Sequence, residues 1–184
     1  MQETLEEALE GRGSRRGPLA TFHLGRSIQF FIPTRPVPRG DPHFGKWGNP
    51  MYSINYRAWA KLARSKVLEA MEATGWQTVP SDVPVFAFSE YRYAAPKRLL
   101  KNEAWRYCFP ISKGYGDADK LTRSVGDAVP NWVKKLKRKA GIFAKTYPGL
   151  IQDDGQIIGW TVVKVWVATE AEQGTSVELV EVVR

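Results

Sequence analysis

Gly116-Asp117-Ala118-Asp119-Lys120-Leu121-Thr122-Arg123 begins a predicted helix, and Ile151-Gln152-Asp153-Asp154-Gly155-Gln156-Ile157 leads through a turn into a predicted strand. Both segments gather carboxylates in a chain that carries an excess of positive charge. Neighbouring carboxylates repel one another unless a cation or a proton separates them. Mg²⁺ prefers oxygen ligands and is usually held by one or two carboxylates together with substrate phosphates. The two segments therefore predict a metal-dependent nuclease site.

The composition supports a folded, basic protein of one main domain. The chain has 184 residues and a formal net charge of +8, which favours nucleic acid as the partner over an acidic membrane surface. It lacks the roughly 20 consecutive apolar residues of a membrane span, and its acidic beginning does not resemble a signal peptide. We therefore expect a cytoplasmic protein with no membrane partner. The single cysteine, Cys108, lies among aromatic residues and is predicted to be a small buried hydrophobe.

The pattern of apolar residues predicts an α+β fold. Residues 1–20 are expected to form a flexible N-terminal extension, and residues 21–184 to form the domain. Two main helices are predicted, over about 55–74 and after Gly116, with Leu121, Val125 and Ala128 on the buried face of the second. Four strands are predicted, over about 28–32, 83–93, 156–167 and 177–183. We expect these strands to form a small mixed sheet with both helices packed on one face.

Basic residues occur in three further places. The proline-rich loop after the first strand carries Arg35 and Arg39, and the long helix places Arg57, Lys61 and Arg64 together on one face. That face suits a solvated surface and DNA contact equally well. The third place is the dense run Trp132-Val133-Lys134-Lys135-Leu136-Lys137-Arg138-Lys139, which is predicted to be a short helix because of the spacing of its apolar residues.

Each acidic residue also has a purely structural interpretation. Asp117 or Asp119 could cap the helix, since Asp is a favoured N-cap residue. Asp154-Gly155 is a strong turn signal in its own right. Asp127 follows Arg123 by four residues and is expected to form an ion pair with it along the helix.

Taken in order, these motifs resemble the RusA family of Holliday junction resolvases. The similarity comprises Asp117-Ala118-Asp119-Lys120-Leu121-Thr122-Arg123, then Gly126-Asp127-Ala128-Val129, then Asp153-Asp154-Gly155-Gln156-Ile157 and Lys164, and it spans roughly residues 28–167. Family members carry an Asp-x-Asp-Asn-Leu-x-Lys segment, an Asp-Ala-Leu continuation, and an Asp-Asp-x-Gln turn before a strand with a lysine. The loop Pro36-Val37-Pro38-Arg39-Gly40 is also similar to the proline-rich loop of many members.

The resemblance implies a Mg²⁺-dependent endonuclease, with Mn²⁺ as the alternative ion, that cuts four-way DNA junctions symmetrically as a homodimer. The family is frequent in phages and prophages, so the expected cytoplasm would be the host's for a viral chain. Asp117, Asp119 and Asp154 correspond to the essential metal-binding carboxylates, with Asp153 as a helper. Arg123 lies where the family has its catalytic lysine. The predicted DNA-binding residues are Lys120, Lys134, Lys135, Lys137, Arg138, Lys139, Lys164, Arg35 and Arg39.

Three departures from the family pattern have consequences. Arg123 stabilises charge but does not deprotonate, so it cannot take a proton-transfer role from the usual lysine. Lys120 replaces asparagine and is expected to face phosphate. The stretch 130–150 is longer than in the family and is expected to be a basic insertion that contacts the junction arms. Two alternatives stay open, which are a nuclease for flaps and other branched DNA and a catalytically silent protein that binds DNA junctions.

Overall fold

The structure, a computed structural model, describes residues 23–44, 50–101, 108–111, 113–138 and 141–183. The predicted extension over residues 1–20 and Lys139 lie outside these ranges. The elements in chain order are β1 His23–Ile32, β2 His43–Phe44, β3 Pro50–Met51, α1 Ile54–Thr74, β4 Val85–Ala94, α2 Lys97–Leu100, α3 Ala118–Gly126, β5 Trp132–Arg138, β6 Gly141–Tyr147, β7 Ile157–Val167 and β8 Gly174–Val183.

The main sheet is mixed and has the strand order β1-β8-β4-β7. β8 pairs antiparallel with both β1 and β4, whereas β4 pairs parallel with β7. A parallel pair needs a long crossover, and the chain between β4 and β7 contains α2, α3 and the β5–β6 hairpin. The α+β class and the mixed sheet predicted from the sequence are confirmed.

Both main helices contribute to one hydrophobic core with the sheet. Trp59, Ala63 and Val67 follow one another at helical spacing on α1 and are buried, as are Leu121 and Val125 on α3. β4 buries alternate residues from Val85 to Tyr93, as its sequence predicts. The opposite face of the sheet is more open; Phe88 and Val163 are exposed there.

The ends of α1 follow the signals in the sequence. The Ser53 hydroxyl accepts a hydrogen bond from the Tyr56 backbone N–H at 3.2 Å, which satisfies one of the free donors at the helix start. Gly75 ends the helix with a φ of 68°, a left-handed conformation that glycine adopts without steric cost.

The basic run is a strand, so its prediction as a short helix is wrong. β5 pairs antiparallel with β6 from Trp132↔Tyr147 to Arg138↔Gly141. The three-residue spacing of Val133 and Leu136 suits a helix, but the strand pairing satisfies the backbone and stacks Trp132 on Tyr147 across the hairpin. The described part of residues 130–150 therefore contains a β-hairpin, and its being an insertion relative to the RusA family stays a prediction.

Two remaining expectations from the sequence concern the burial of Cys108 and the lack of a membrane span. Cys108 is exposed and so is the neighbouring Phe109, so the prediction of a buried cysteine is wrong. Aromatic neighbours in sequence therefore did not imply burial of Cys108. No helix in the described ranges combines the length and apolar composition that a membrane crossing needs.

Candidate active site and its neighbouring groove

α3 lies along β7, which brings the two acidic segments into the same region. Near the start of α3, the Lys164 Nζ of β7 donates to the Gly116 carbonyl at 3.1 Å. At the other end, a Cβ placed on Gly126 would lie 3.8 Å from the Trp160 ring of β7. Lys164, predicted to bind DNA, is therefore half-buried beside the residue that precedes Asp117.

Asp117 occupies the N-cap position of α3, but its side chain makes no cap hydrogen bond. The capping interpretation therefore does not account for this exposed carboxylate. Gly116 precedes it with a φ of 74°, and a Cβ there would lie 2.9 Å from Pro38. The glycine thus allows the proline-rich loop to pack closely against the start of the helix.

Asp119 and Arg123 form an ion pair on the exposed side of α3. Arg123 Nη2 lies 3.3 Å from Asp119 Oδ2, and the two side chains are 55% and 58% exposed. Exposed pairs of this kind contribute about 0–1 kcal/mol to stability, so the pair costs little to separate. Both groups are therefore accessible to a ligand.

The two carboxylates of the turn before β7, Asp153 and Asp154, have different roles. Asp153 Oδ1 accepts from the Gly155 N–H at 2.8 Å, and Gln156 Oε1 accepts from the Asp153 N–H at 3.0 Å, so the two residues form a capping box. The Gln156 amide also donates to the Pro80 and Val83 carbonyls, which ties the turn to the preceding loop. Asp153 thus holds the turn, and Asp154 projects to the surface from it.

A cleft of about 260 Å³ joins the second half of α3 to the start of β7. Arg123 and Asp154 both line this α3–β7 cleft, although they are 31 positions apart in sequence. Its lining residues are Arg39, Thr122, Arg123, Gly126, Asp127, Asp154, Ile157, Ile158, Gly159 and Trp160. Asp117 and Asp119 do not line it, so the fold brings two of the four predicted catalytic residues into one concavity.

The expected convergence of three or four carboxylates is not found among the described residues, where no group of three His, Cys, Asp or Glu side chains is placed to hold a metal ion. The donor chemistry nevertheless suits Mg²⁺, since exposed carboxylates supply hard oxygen ligands. Mg²⁺ commonly takes only one or two protein carboxylates and completes its shell with water and substrate phosphate. The assignment of Asp117, Asp119, Asp153 and Asp154 as metal ligands stays a prediction.

Asp127 forms a polar network with α1 and the proline-rich loop, so the predicted ion pair with Arg123 is wrong. Arg39 Nη1 donates to Asp127 Oδ1 at 2.8 Å, and the Tyr56 hydroxyl donates to Oδ2. Arg64 Nη2 donates to the Asp127 backbone carbonyl at 3.1 Å. The Asp127 carboxylate is therefore bound by partners from α1 and the proline-rich loop, while Arg123 pairs with Asp119.

This network also affects Tyr56 and the role of Arg39. Burial raises the pKa of the Tyr56 hydroxyl, and its hydrogen bond to the Asp127 carboxylate raises that pKa further. The Arg39 Nη2 donates to the Tyr52 hydroxyl at 2.7 Å. Arg39, predicted to bind DNA, therefore has a structural role at the edge of the cleft.

The remaining predicted DNA-binding residues lie on three different elements, which are the proline-rich loop, α3 and β5. Arg35 is exposed on the proline-rich loop, with its Cζ 5.8 Å from the centre of the Tyr115 ring. Lys120 is half-buried on α3, where its carbonyl accepts from the Arg39 N–H at 2.9 Å. The backbones of Lys134, Lys135, Lys137 and Arg138 form part of β5, while their side chains lie outside what the structure describes.

Sequence reasoning missed a groove between α1 and the hairpin. This α1–hairpin groove measures about 610 Å³ and includes Arg57, Lys61, Arg64, Trp132 and Tyr147 in its lining. The helical spacing of the three cations was the available signal. Nothing local in the sequence placed the aromatic pair opposite them.

No family model matches the chain, and no curated protein is significantly similar to it in sequence.

Proposed function

We propose that this protein is a metal-dependent endodeoxyribonuclease that resolves four-way DNA junctions by phosphodiester hydrolysis. The observation that carries the proposal is the pairing of Arg123 and Asp154 in one cleft, with Asp119 ion-paired to Arg123. Cleavage of a phosphodiester needs negative ligands for a cation and a positive group for the phosphate. The resemblance of the ordered motifs to the RusA family supports the same activity.

The carboxylates and the arginine have complementary roles in this proposal. Asp117, Asp119 and Asp154 would hold Mg²⁺, or alternatively Mn²⁺, with Asp153 keeping the Asp154 turn in place. The bound ion would supply charge that activates water and stabilises the leaving oxygen. A guanidinium suits electrostatic stabilisation and not general-base chemistry, so Arg123 would stabilise negative charge on the phosphate.

The proposed substrate determines the expected assembly and location. Symmetric cuts in a four-way junction suit a two-fold symmetric protein, so we expect a homodimer. Lys120, Lys164, Arg35 and the basic residues of β5 would contact the DNA backbone around the site. A DNA-processing activity of this kind belongs in the cytoplasm, which would be that of the host for a viral protein.

A second candidate is a silent protein that binds DNA junctions without cutting them. It is favoured by the absence, among the described residues, of three carboxylates placed as a ready-made metal group. The replacement of the family lysine by Arg123 favours it as well. A nuclease that also accepts flaps and other branched DNA is the third possibility, and the same assay separates all three.

The deciding experiment is cleavage of a labelled four-way junction with Mg²⁺, beside linear duplex and flap controls. The variants are Asp119→Asn and the matched control Asp82→Asn, which changes an exposed carboxylate that lies outside both acidic segments. We expect paired symmetric nicks with wild type and the control, and a loss of at least about 100-fold with Asp119→Asn, since a metal ligand contributes several kcal/mol.

The other outcomes identify the alternatives. Tight junction binding with no cutting at any Mg²⁺ or Mn²⁺ concentration would reject the nuclease and support the silent binder. In that case Arg123→Lys would be the first substitution to assay for recovery of cutting. Equal cutting of junction, flap and duplex would reject junction selectivity. Equal activity of the two Asp→Asn variants would reject the proposed site.

A further inference from the structure

The α1–hairpin groove has a basic wall and an aromatic wall. Arg57 and Lys61 are exposed on α1, one turn apart, and Arg64 lies one turn further along the same face. The opposite wall is the first residue pair of the hairpin, Trp132 and Tyr147. The groove therefore presents cations to one side of a ligand and aromatic rings to the other.

The aromatic wall is a stacked pair flanked by cations. The rings of Trp132 and Tyr147 are parallel to within 7°, with centroids 5.4 Å apart. The Arg64 guanidinium lies 5.5 Å from the centre of the Trp132 ring, and Lys145 Nζ lies 4.9 Å from that of Tyr147. Nucleic acid bases stack on aromatic side chains of this kind, and a base would take the place of the exposed Lys145 over the Tyr147 ring.

The charge of the groove is positive even though Asp127 lines it. The Asp127 carboxylate is already bound by Arg39 and Tyr56, so it does not offset the α1 cations. Arg64 donates one hydrogen bond to the Asp127 carbonyl, whereas Arg57 and Lys61 are exposed to solvent. The α1 wall thus retains donors and charge for an anionic ligand.

The groove adjoins the candidate active site. Asp127 lines both the α1–hairpin groove and the α3–β7 cleft. A polynucleotide held in the groove would therefore leave it next to the cleft that contains Arg123 and Asp154.

We infer that the α1–hairpin groove binds a short unpaired stretch of DNA next to the site of cleavage. In a duplex, the base faces are stacked inside the helix and cannot reach a protein ring, whereas an unpaired base presents its face. A volume of about 610 Å³ suits one or two nucleotides and not a double helix. The inference deepens the proposed function and rests on it for the choice of DNA as the ligand.

The test measures binding of the full-length protein in EDTA, so that cleavage plays no part. The probes are a fluorescent thymidine oligonucleotide of about 12 nucleotides, within the roughly 4–16 that a single-strand-binding fold covers, and a duplex of the same length. The variant Arg57→Gln/Lys61→Gln is compared with Lys66→Gln/Arg92→Gln. The control removes the same charge from residues that pair with Glu69 and Glu90 and do not line the groove.

We expect the groove variant to bind the single strand more weakly. The slope of log K against log salt should fall in magnitude by about 1.4, because each of the two lost phosphate contacts contributes about 0.7. The control variant should leave that slope unchanged. Tyr147→Leu keeps an apolar side chain but removes a stacking ring, so it should weaken single-strand binding by about tenfold and change duplex binding little.

Several results would overturn the inference. Equal losses of single-strand affinity in the groove variant and in the control variant would show that only the net charge of the protein matters. Equal effects of Tyr147→Leu on single strand and duplex would exclude base stacking, and competition by an acidic peptide as effective as the oligonucleotide would indicate a general anion site. If the protein cuts the junction but the groove variant binds the single strand as tightly as wild type, the inference alone is rejected. If the groove variant binds the single strand more weakly but the protein does not cut the junction, the inference is supported and the nuclease is rejected.

Discussion

Substituting Asp127 tests whether its network joins α3 to the rest of the fold. Asp127 accepts hydrogen bonds from Arg39 and Tyr56, and its side chain is 26% exposed. A hydrogen bond to a charged group contributes roughly 1.5–3 kcal/mol. Because the Arg39 and Asp127 side chains are 30% and 26% exposed, although Tyr56 is buried, we take the lower value for each bond, and loss of both bonds in Asp127→Ala should cost about 3 kcal/mol.

Asp127→Asn separates the charge from the hydrogen bonds. Asparagine can still accept from Arg39 and donate to the Tyr56 hydroxyl, so it loses the charge assistance but not both contacts. Charge-assisted bonds are about twice as strong as neutral ones, so we expect a cost of about 1.5 kcal/mol. For a chain of this size, these losses correspond to falls in melting temperature of about 3–6 °C for asparagine and 6–12 °C for alanine.

The assay is urea unfolding followed by circular dichroism, with a double-mutant cycle against Tyr56→Phe. If the Tyr56–Asp127 hydrogen bond is as the structure has it, the cycle should give a coupling of about 1.5 kcal/mol. Additivity of Asp127→Ala and Tyr56→Phe within about 0.5 kcal/mol would refute the reasoning, because independent sites add to that accuracy.

Three further predictions concern other parts of the molecule. Gly149→Ala places a Cβ 2.2 Å from the Pro130 carbonyl carbon and should cost about 3 kcal/mol in urea unfolding, whereas Gly40→Ala, with no atom within 4 Å of the new Cβ, should change stability by less than about 0.5 kcal/mol. Burial raises the pKa of three tyrosines, Tyr91 among them, so the fold favours their neutral form. The stability they contribute is complete below about pH 10 and is lost as pH rises towards their raised pKa values, by up to about 1.4 kcal/mol per pH unit for each tyrosine. Tyr91→Phe should remove the contribution of one tyrosine to that fall in the free energy of unfolding, as urea unfolding above pH 10 would measure. Asp119→Asn should change the free energy of unfolding by less than about 1 kcal/mol, because its ion pair is exposed, and a larger loss would make reduced cleavage uninformative about metal binding.

Sequence reasoning predicted the regular elements well where one periodicity dominated. The alternation from Val85 to Tyr93 and the helical spacing of Trp59, Ala63 and Val67 each reflect burial of one face, and both are confirmed. It failed at β5, where the apolar spacing of a short segment fitted a helix but the pairing with β6 decided the structure. A strand of that kind depends on a partner that its own residues do not reveal.

The candidate site was predicted residue by residue but not in its geometry. The motifs identified Arg123 and Asp154, and the structure places both on the α3–β7 cleft. The spacing of Asp127 from Arg123 fitted an ion pair within a helix, but Arg39 and Tyr56 bind the Asp127 carboxylate and Arg123 pairs with Asp119. Competition among several available partners cannot be resolved from spacing alone.

The sequence by itself determined where the two main helices and the four strands of the main sheet lie, where α1 ends, and which side chains have the chemistry for metal and phosphate. These properties follow from local periodicity and from the conformational preferences of single residues. Only the tertiary structure decided that β4 and β7 run parallel side by side, that α3 lies along β7, and that the hairpin forms a groove with α1. Those arrangements depend on packing between residues far apart in the chain, where many pairings satisfy the same local pattern and the whole core selects one.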